Sequence, residues 1–172
     1  MFEHWDSFYL LIGGAAGGLI GLLFIVSTLR SQRTDTEATM RAVAAYMTPI
    51  VFHLAAVLSV SAVLAAPGLA DPTLGVVLSL AAALGLACAI RIIVRLKSVV
   101  EAAHWSDIWC YGACPLLAYL VLAAGAVAVW LAPDWAARIV AVGLLAQLMI
   151  AIRNAWDLVT WMTIKMGMSA PQ

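Results

Sequence analysis

The sequence predicts an all-α integral membrane protein, one helical bundle of about five transmembrane helices with its N-terminus outside the cytoplasm and its C-terminus inside. Three observations carry this. Of 172 residues, 65% are hydrophobic and 10% charged, with a mean hydropathy of +1.04, which is too apolar for a soluble core of this size. Five apolar runs reach the roughly 20 residues that a helix needs to cross a bilayer: 8–29, 43–65, 74–93, 111–131 and 139–158, with 97–109 as an interfacial segment. The basic residues also sort by side. Arg30, Arg33, Arg41, Arg91, Arg95, Lys97, Arg153 and Lys165 share one side, and only Arg138 falls on the other, where Asp134 one turn away can partner it.

The first run is preceded by Glu3 and Asp6 and by no Lys or Arg, so it lacks the basic start of a cleaved signal peptide and is expected to be retained. Within it, Gly13, Gly17 and Gly21 share one stripe and Gly14 and Gly18 lie beside it. Glycines at four-residue spacing let helix backbones approach closely in lipid. This helix is therefore expected to sit centrally, packing within the bundle or against a second copy. The run lacks the Lys-Ser/Thr ending and preceding strand of a phosphate-binding loop.

The loop from Ser31 to Met40 is too short to form a domain, and its Asp35 and Glu37 suit the N-terminal turn of the second span. In that span Pro49 is expected to kink the helix. His53, one turn later, falls near mid-membrane when the rise of about 1.5 Å per residue is counted from either end. A histidine at that depth is either hydrogen-bonded across the bundle or part of a proton or ion path. A haem would usually want a second axial ligand, and no other span holds a histidine.

The third span is featureless until Arg91 and Arg95 near its end. Arg95 can snorkel to the headgroups; Arg91 either does the same or pairs across helices with Asp157, which lies at a similar level. The segment 97–109 mixes Glu101, His104, Trp105, Asp107 and Trp109, a composition suited to the membrane interface. His104, Asp107, Cys110 and Cys114 do not follow a metal-ligand spacing. The cysteines Cys88, Cys110 and Cys114 form no CxxC pair and read as packing residues. No metal or cofactor is expected.

In the fourth span Tyr111, Pro115 and Tyr119 fall on one stripe, so a kink and two hydroxyls face the same way. The fifth carries Gln147, Asn154, Asp157 and Trp161 on one stripe, with Arg153 beside them. Arg153 and Asp157, one turn apart, are expected either to pair as a fastening or to join a polar site between helices. His53, Arg91, Tyr111, Tyr119, Gln147, Arg153, Asn154 and Asp157 are thus the candidate intramembrane polar residues.

The first span, with Leu11-Ile12-Gly13-Gly14-Ala15-Ala16 and Gly21-Leu22-Leu23-Phe24, and the last, with Ile152-Arg153-Asn154-Ala155-Trp156-Asp157, together resemble a set of small uncharacterised bacterial inner-membrane proteins. The resemblance covers both ends and, loosely, Asp107 to Pro115. It implies a multi-pass protein of the bacterial cytoplasmic membrane and supplies no activity. Such relatives often carry His where this chain has Arg153, a departure that weakens a metal or proton role there.

Zero net charge offers no basic face to a nucleic acid. The expected partners are the lipid bilayer, further copies of the chain and other subunits of a membrane complex. The leading functional reading is an oligomeric channel or transporter-like bundle with a narrow polar path for ions, protons or a small solute. The rival is a non-transporting accessory or scaffold subunit. A membrane enzyme ranks third, since no GxSxG, HExxH or paired-His motif is present.

Overall fold

A computed structural model describes residues 2, 4–31, 37–99, 105–131 and 134–168. Their regular structure is all helical: α1 (Asp6–Ser31), α2 (Glu37–Leu64), α3 (Asp71–Val99), the single turn α4 (Trp105–Asp107), a π-helical segment (Ile108–Ala113), α5 (Cys114–Leu131) and α6 (Ala136–Met168). Five stretches are long and apolar enough to cross a membrane: Asp6–Leu29, Tyr46–Leu64, Asp71–Arg95, Ile108–Leu131 and Ala136–Thr163. Helices of the expected length and composition are thus present at all five runs, and they continue into flanking polar residues such as Glu37 and Arg95. Most of the expected interfacial segment is divided between the end of α3, α4 and the π segment; Glu101 and His104 lie outside the described residues, as do Arg33 and Asp35.

Local signals explain the ends. Asp6 and Asp71 place an acid in the first turns of α1 and α3, where the helix dipole favours negative charge. Between α2 and α3 the chain turns at Gly68, whose φ of +76° a side chain would strain.

α2, α3, α5 and α6 pack as a ring, each against the next, and α1 lies outside it against α2 and α6. The first helix is therefore peripheral, contrary to the expectation from its glycines. Of these, a Cβ on Gly13 would come 3.1 Å from the Ser61 side chain and one on Gly17 would come 3.8 Å from Leu58. Gly14, Gly18 and Gly21 have nothing within 4 Å. The close crossings belong instead to isolated glycines on the ring helices. Gly85 receives the Tyr119 ring, Gly112 receives Ile93, and a Cβ on Gly75 would lie 2.8 Å from Trp130; these three hold α3 against the fourth span. Gly125 meets Val140 and Gly143 meets the Leu122 backbone, which brings α5 against α6.

The outer surface is apolar: Leu11, Phe24, Leu84, Val94, Leu117, Val127, Val142 and Met149 are all exposed, a pattern suited to lipid rather than water. Trp109 and Trp130 on the fourth span, and Trp135 and Trp156 on the fifth, are also exposed. Each pair is separated by twenty-one residues, about 30 Å of helix, which matches the thickness of a hydrocarbon core bounded by aromatic belts.

Candidate functional site: two polar layers between three helices

Six polar side chains of α2, the fourth span and α6, five of them buried and Tyr46 half-buried, fall into two layers; Ser61 on α2, also buried and with its Oγ unpaired, lies outside both. The middle layer holds His53, Tyr119 and Gln147; the second holds Tyr46, Tyr111 and Asn154. Along each helix the layers are seven or eight residues apart, about 10–12 Å, so all three helices carry polar groups at matching depths.

In the middle layer, His53 is 1% exposed, Tyr119 2% and Gln147 3%. His53 Nδ1 lies 3.0 Å from the Tyr119 hydroxyl, with the ring centroids 5.6 Å apart. Tyr119 reaches this position because Gly85 on α3 has no side chain to block its ring. Tyr119 and Gln147 are among the residues around one small cavity of about 10 Å³ between α2, α5 and α6, whose surface is apolar. Three buried polar atoms at this level have no hydrogen-bond partner: His53 Nε2, Gln147 Nε2 and Gln147 Oε1. A neutral imidazole has one donor and one acceptor nitrogen. If Nδ1 accepts from Tyr119, the Nε2 proton goes unused; if Nδ1 donates, the Nε2 lone pair does.

The second layer is closed by contrast. Cys114 N–H donates to the Trp109 carbonyl, a bond from i to i−5 within the π segment. The next such bond would run from residue 115 to the Cys110 carbonyl, but Pro115 has no N–H. Asn154 Nδ2 supplies the missing donor, 2.8 Å from that carbonyl. Reciprocally, the Tyr111 hydroxyl donates to the Asn154 backbone carbonyl at 3.0 Å, and the Tyr46 ring packs edge-on against Tyr111 with centroids 5.1 Å apart.

Neither expected ion pair forms among the described residues. Arg153 Nη1 donates to Asn154 Oδ1 at 3.2 Å, and Asp157 Oδ2 lies 3.4 Å from the Tyr111 hydroxyl. Arg91, Arg153 and Asp157 are all exposed. The physical reason is exposure. Arg153 and Asp157 flank the exposed Trp156 on the outward side of α6 and are not enclosed between helices, so neither needs a buried countercharge. The stripe Gln147, Asn154, Asp157, Trp161 therefore passes from the core to the surface. The stripe Tyr111, Pro115, Tyr119 is buried throughout.

Tyr46 escaped the sequence reading, although it stands seven residues before His53, as Asn154 stands seven after Gln147. The partnership of Asn154 with Pro115 was also missed, because it depends on a π turn that periodicity does not signal. The described residues contain no group of three His, Cys, Asp or Glu side chains suited to a metal.

The chain matches no protein-family model, no curated protein and no solved structure.

Proposed function

We propose that this is a multi-pass protein of the bacterial cytoplasmic membrane, N-terminus outside and C-terminus inside, whose middle layer forms part of a narrow polar path. The observation that carries the reading is the set of unmatched buried atoms on His53 and Gln147. A residue kept only to fasten helices has its polar atoms paired, because leaving them unpaired in hydrocarbon costs several kcal/mol. An ionisable residue at mid-membrane depth is by default a candidate for transfer along a path. The cavity near this layer is too small for a hydrated ion or larger solute, which narrows the reading to a proton passed between the Tyr119 hydroxyl and the His53 imidazole.

The test is proton flux into liposomes holding the purified protein and a pH-sensitive dye, driven by a potassium potential. Wild type should exceed empty liposomes, and both His53→Phe and Tyr119→Phe should fall to the empty level while remaining folded. Wild-type flux equal to that of empty liposomes would sink the reading. The second reading, a non-transporting accessory subunit, is favoured by the closed bonding of the second layer, which fastens helices without leaving a passage. It predicts no flux and a stable membrane complex isolated with the chain.

A further inference from the structure

We propose that Cys110 and Cys114 form a two-coordinate site for a soft monovalent cation of the copper(I) type, at the junction of the π segment and α5. Both thiols are free and half-buried, and they lie within electrostatic reach of each other. Residues four apart on a helix are neighbours, with Cβ atoms about 5–6 Å apart. A cation bonded at about 2.3 Å to each of two thiolates spans about 4.6 Å between sulfurs, which two cysteines on adjacent turns reach by leaning together. The backbone that carries them is held at both positions. Asn154 Nδ2 lies 2.8 Å from the Cys110 carbonyl, and the Cys114 N–H donates to the Trp109 carbonyl, so the two side chains start from a fixed frame.

The choice of cation follows from ligand number and softness. Cys88 completes no group of three with them, nor does any His, Asp or Glu among the described residues, so the three or four protein ligands of a zinc site are not supplied. Thiolates select soft cations, and copper(I) is stable between two sulfurs in line. Binding releases one proton from each thiol to solvent, which leaves the S–Cu–S unit with one negative charge. Arg153 balances it. Its guanidinium is within electrostatic reach of Cys114 and donates at 3.2 Å to Asn154 Oδ1, on the same amide that holds the Cys110 carbonyl. Asn154 therefore ties the countercharge to the turn that bears the thiols. The site does not rest on the polar-path reading.

Anaerobic titration of the reduced full chain in nanodiscs with copper(I), against the chromophoric competitor bicinchoninate, tests it. Wild type and Cys88→Ser should each withdraw one copper(I) with equal affinity. Cys110→Ser and Cys114→Ser should each weaken binding by more than about 100-fold, beyond the roughly 10–100-fold typical when a group that only supports a metal ligand is lost. Arg153→Gln, which keeps both thiols, should weaken it by roughly tenfold. Affinity that survives loss of Cys110 or Cys114, or that disappears with Cys88, would overturn the proposal, as would Arg153→Gln binding as tightly as wild type. A measurement on the wild type alone guards against misfolded variants. One equivalent of copper(I) should shield Cys110 and Cys114 together from iodoacetamide, read by mass spectrometry, and leave the labelling of Cys88 unchanged; shielding of one thiol without the other would overturn the two-coordinate site.

Discussion

Replacing Asn154 with leucine tests whether the buried amide stands in for the N–H that Pro115 lacks. The substitution keeps the side chain's approximate size and removes the donor that lies 2.8 Å from the Cys110 carbonyl. The Tyr111 bond to the Asn154 backbone carbonyl survives, and Arg153, being exposed, turns to water. What remains is one carbonyl without a donor in an apolar surround, a loss of about 1–3 kcal/mol. The decisive comparison is the same change in a Pro115→Ala background. Residue 115 then has its own N–H, positioned to continue the i to i−5 bonding that Cys114 already makes to Trp109. In that background Asn154→Leu should cost only a few tenths of a kcal/mol, so the coupling in the double-mutant cycle is about 1–2 kcal/mol. Reversible unfolding in mixed micelles, followed by far-UV circular dichroism, measures all four proteins. Equal cost of Asn154→Leu in both backgrounds would refute the reasoning, since Asn154 would then be holding something other than the proline gap.

Gly85→Ala places a methyl group against the Tyr119 ring and should destabilise by about 1–3 kcal/mol through overpacking; an unfolding midpoint equal to wild type would show that Tyr119 does not need that notch. Gly13→Leu should loosen α1 from α2, where Ser61 stands 3.1 Å from the added Cβ, whereas Gly18→Leu should leave the unfolding of a single copy unchanged. Should Gly18→Leu instead abolish an oligomer seen in nanodiscs, the outward face of α1 carries the expected self-association. Arg153→Leu and Asp157→Leu should add to within about 0.5 kcal/mol, because the two are exposed and bond elsewhere; a coupling above 1 kcal/mol would restore the ion pair.

The five spans were readable because each is an apolar run of membrane length, and run length survives any arrangement of the helices. His53, Tyr119 and Gln147 were readable only as three of eight candidate polar residues, His53 by counting residues to mid-span and the other two by helical period; that these three share one layer depends on how the helices pack. Which glycines make close crossings was not readable. The run in α1 has the conspicuous spacing, but spacing says only that a helix has a smooth face and not whether a neighbour lies on it. Gly85 and Gly112 belong to no four-residue glycine stripe, and their importance comes from the Tyr119 and Ile93 side chains that the fold sets against them. Arg153 and Asp157 misled for a related reason. Charge inside an apolar run looks costly until both side chains are found exposed on the outward side of α6 beside Trp156 rather than enclosed between helices.

The contrast between the layers bears on how one fold can both hold and leave open its polar groups. The second layer pins α5 against α6 at two points, through Asn154 to the Cys110 carbonyl and through Tyr111 to the Asn154 carbonyl. Tyr119 follows Tyr111 by eight residues on a nearly continuous helix, so its direction is inherited from that attachment. A slip of one residue at the π segment would turn everything beyond it by about 100° and swing the Tyr119 hydroxyl away from His53. The closed layer therefore sets the register on which the open one depends. Loss of Asn154 should for this reason disturb the His53–Tyr119 contact about 10–12 Å away, even though no bond joins the two layers.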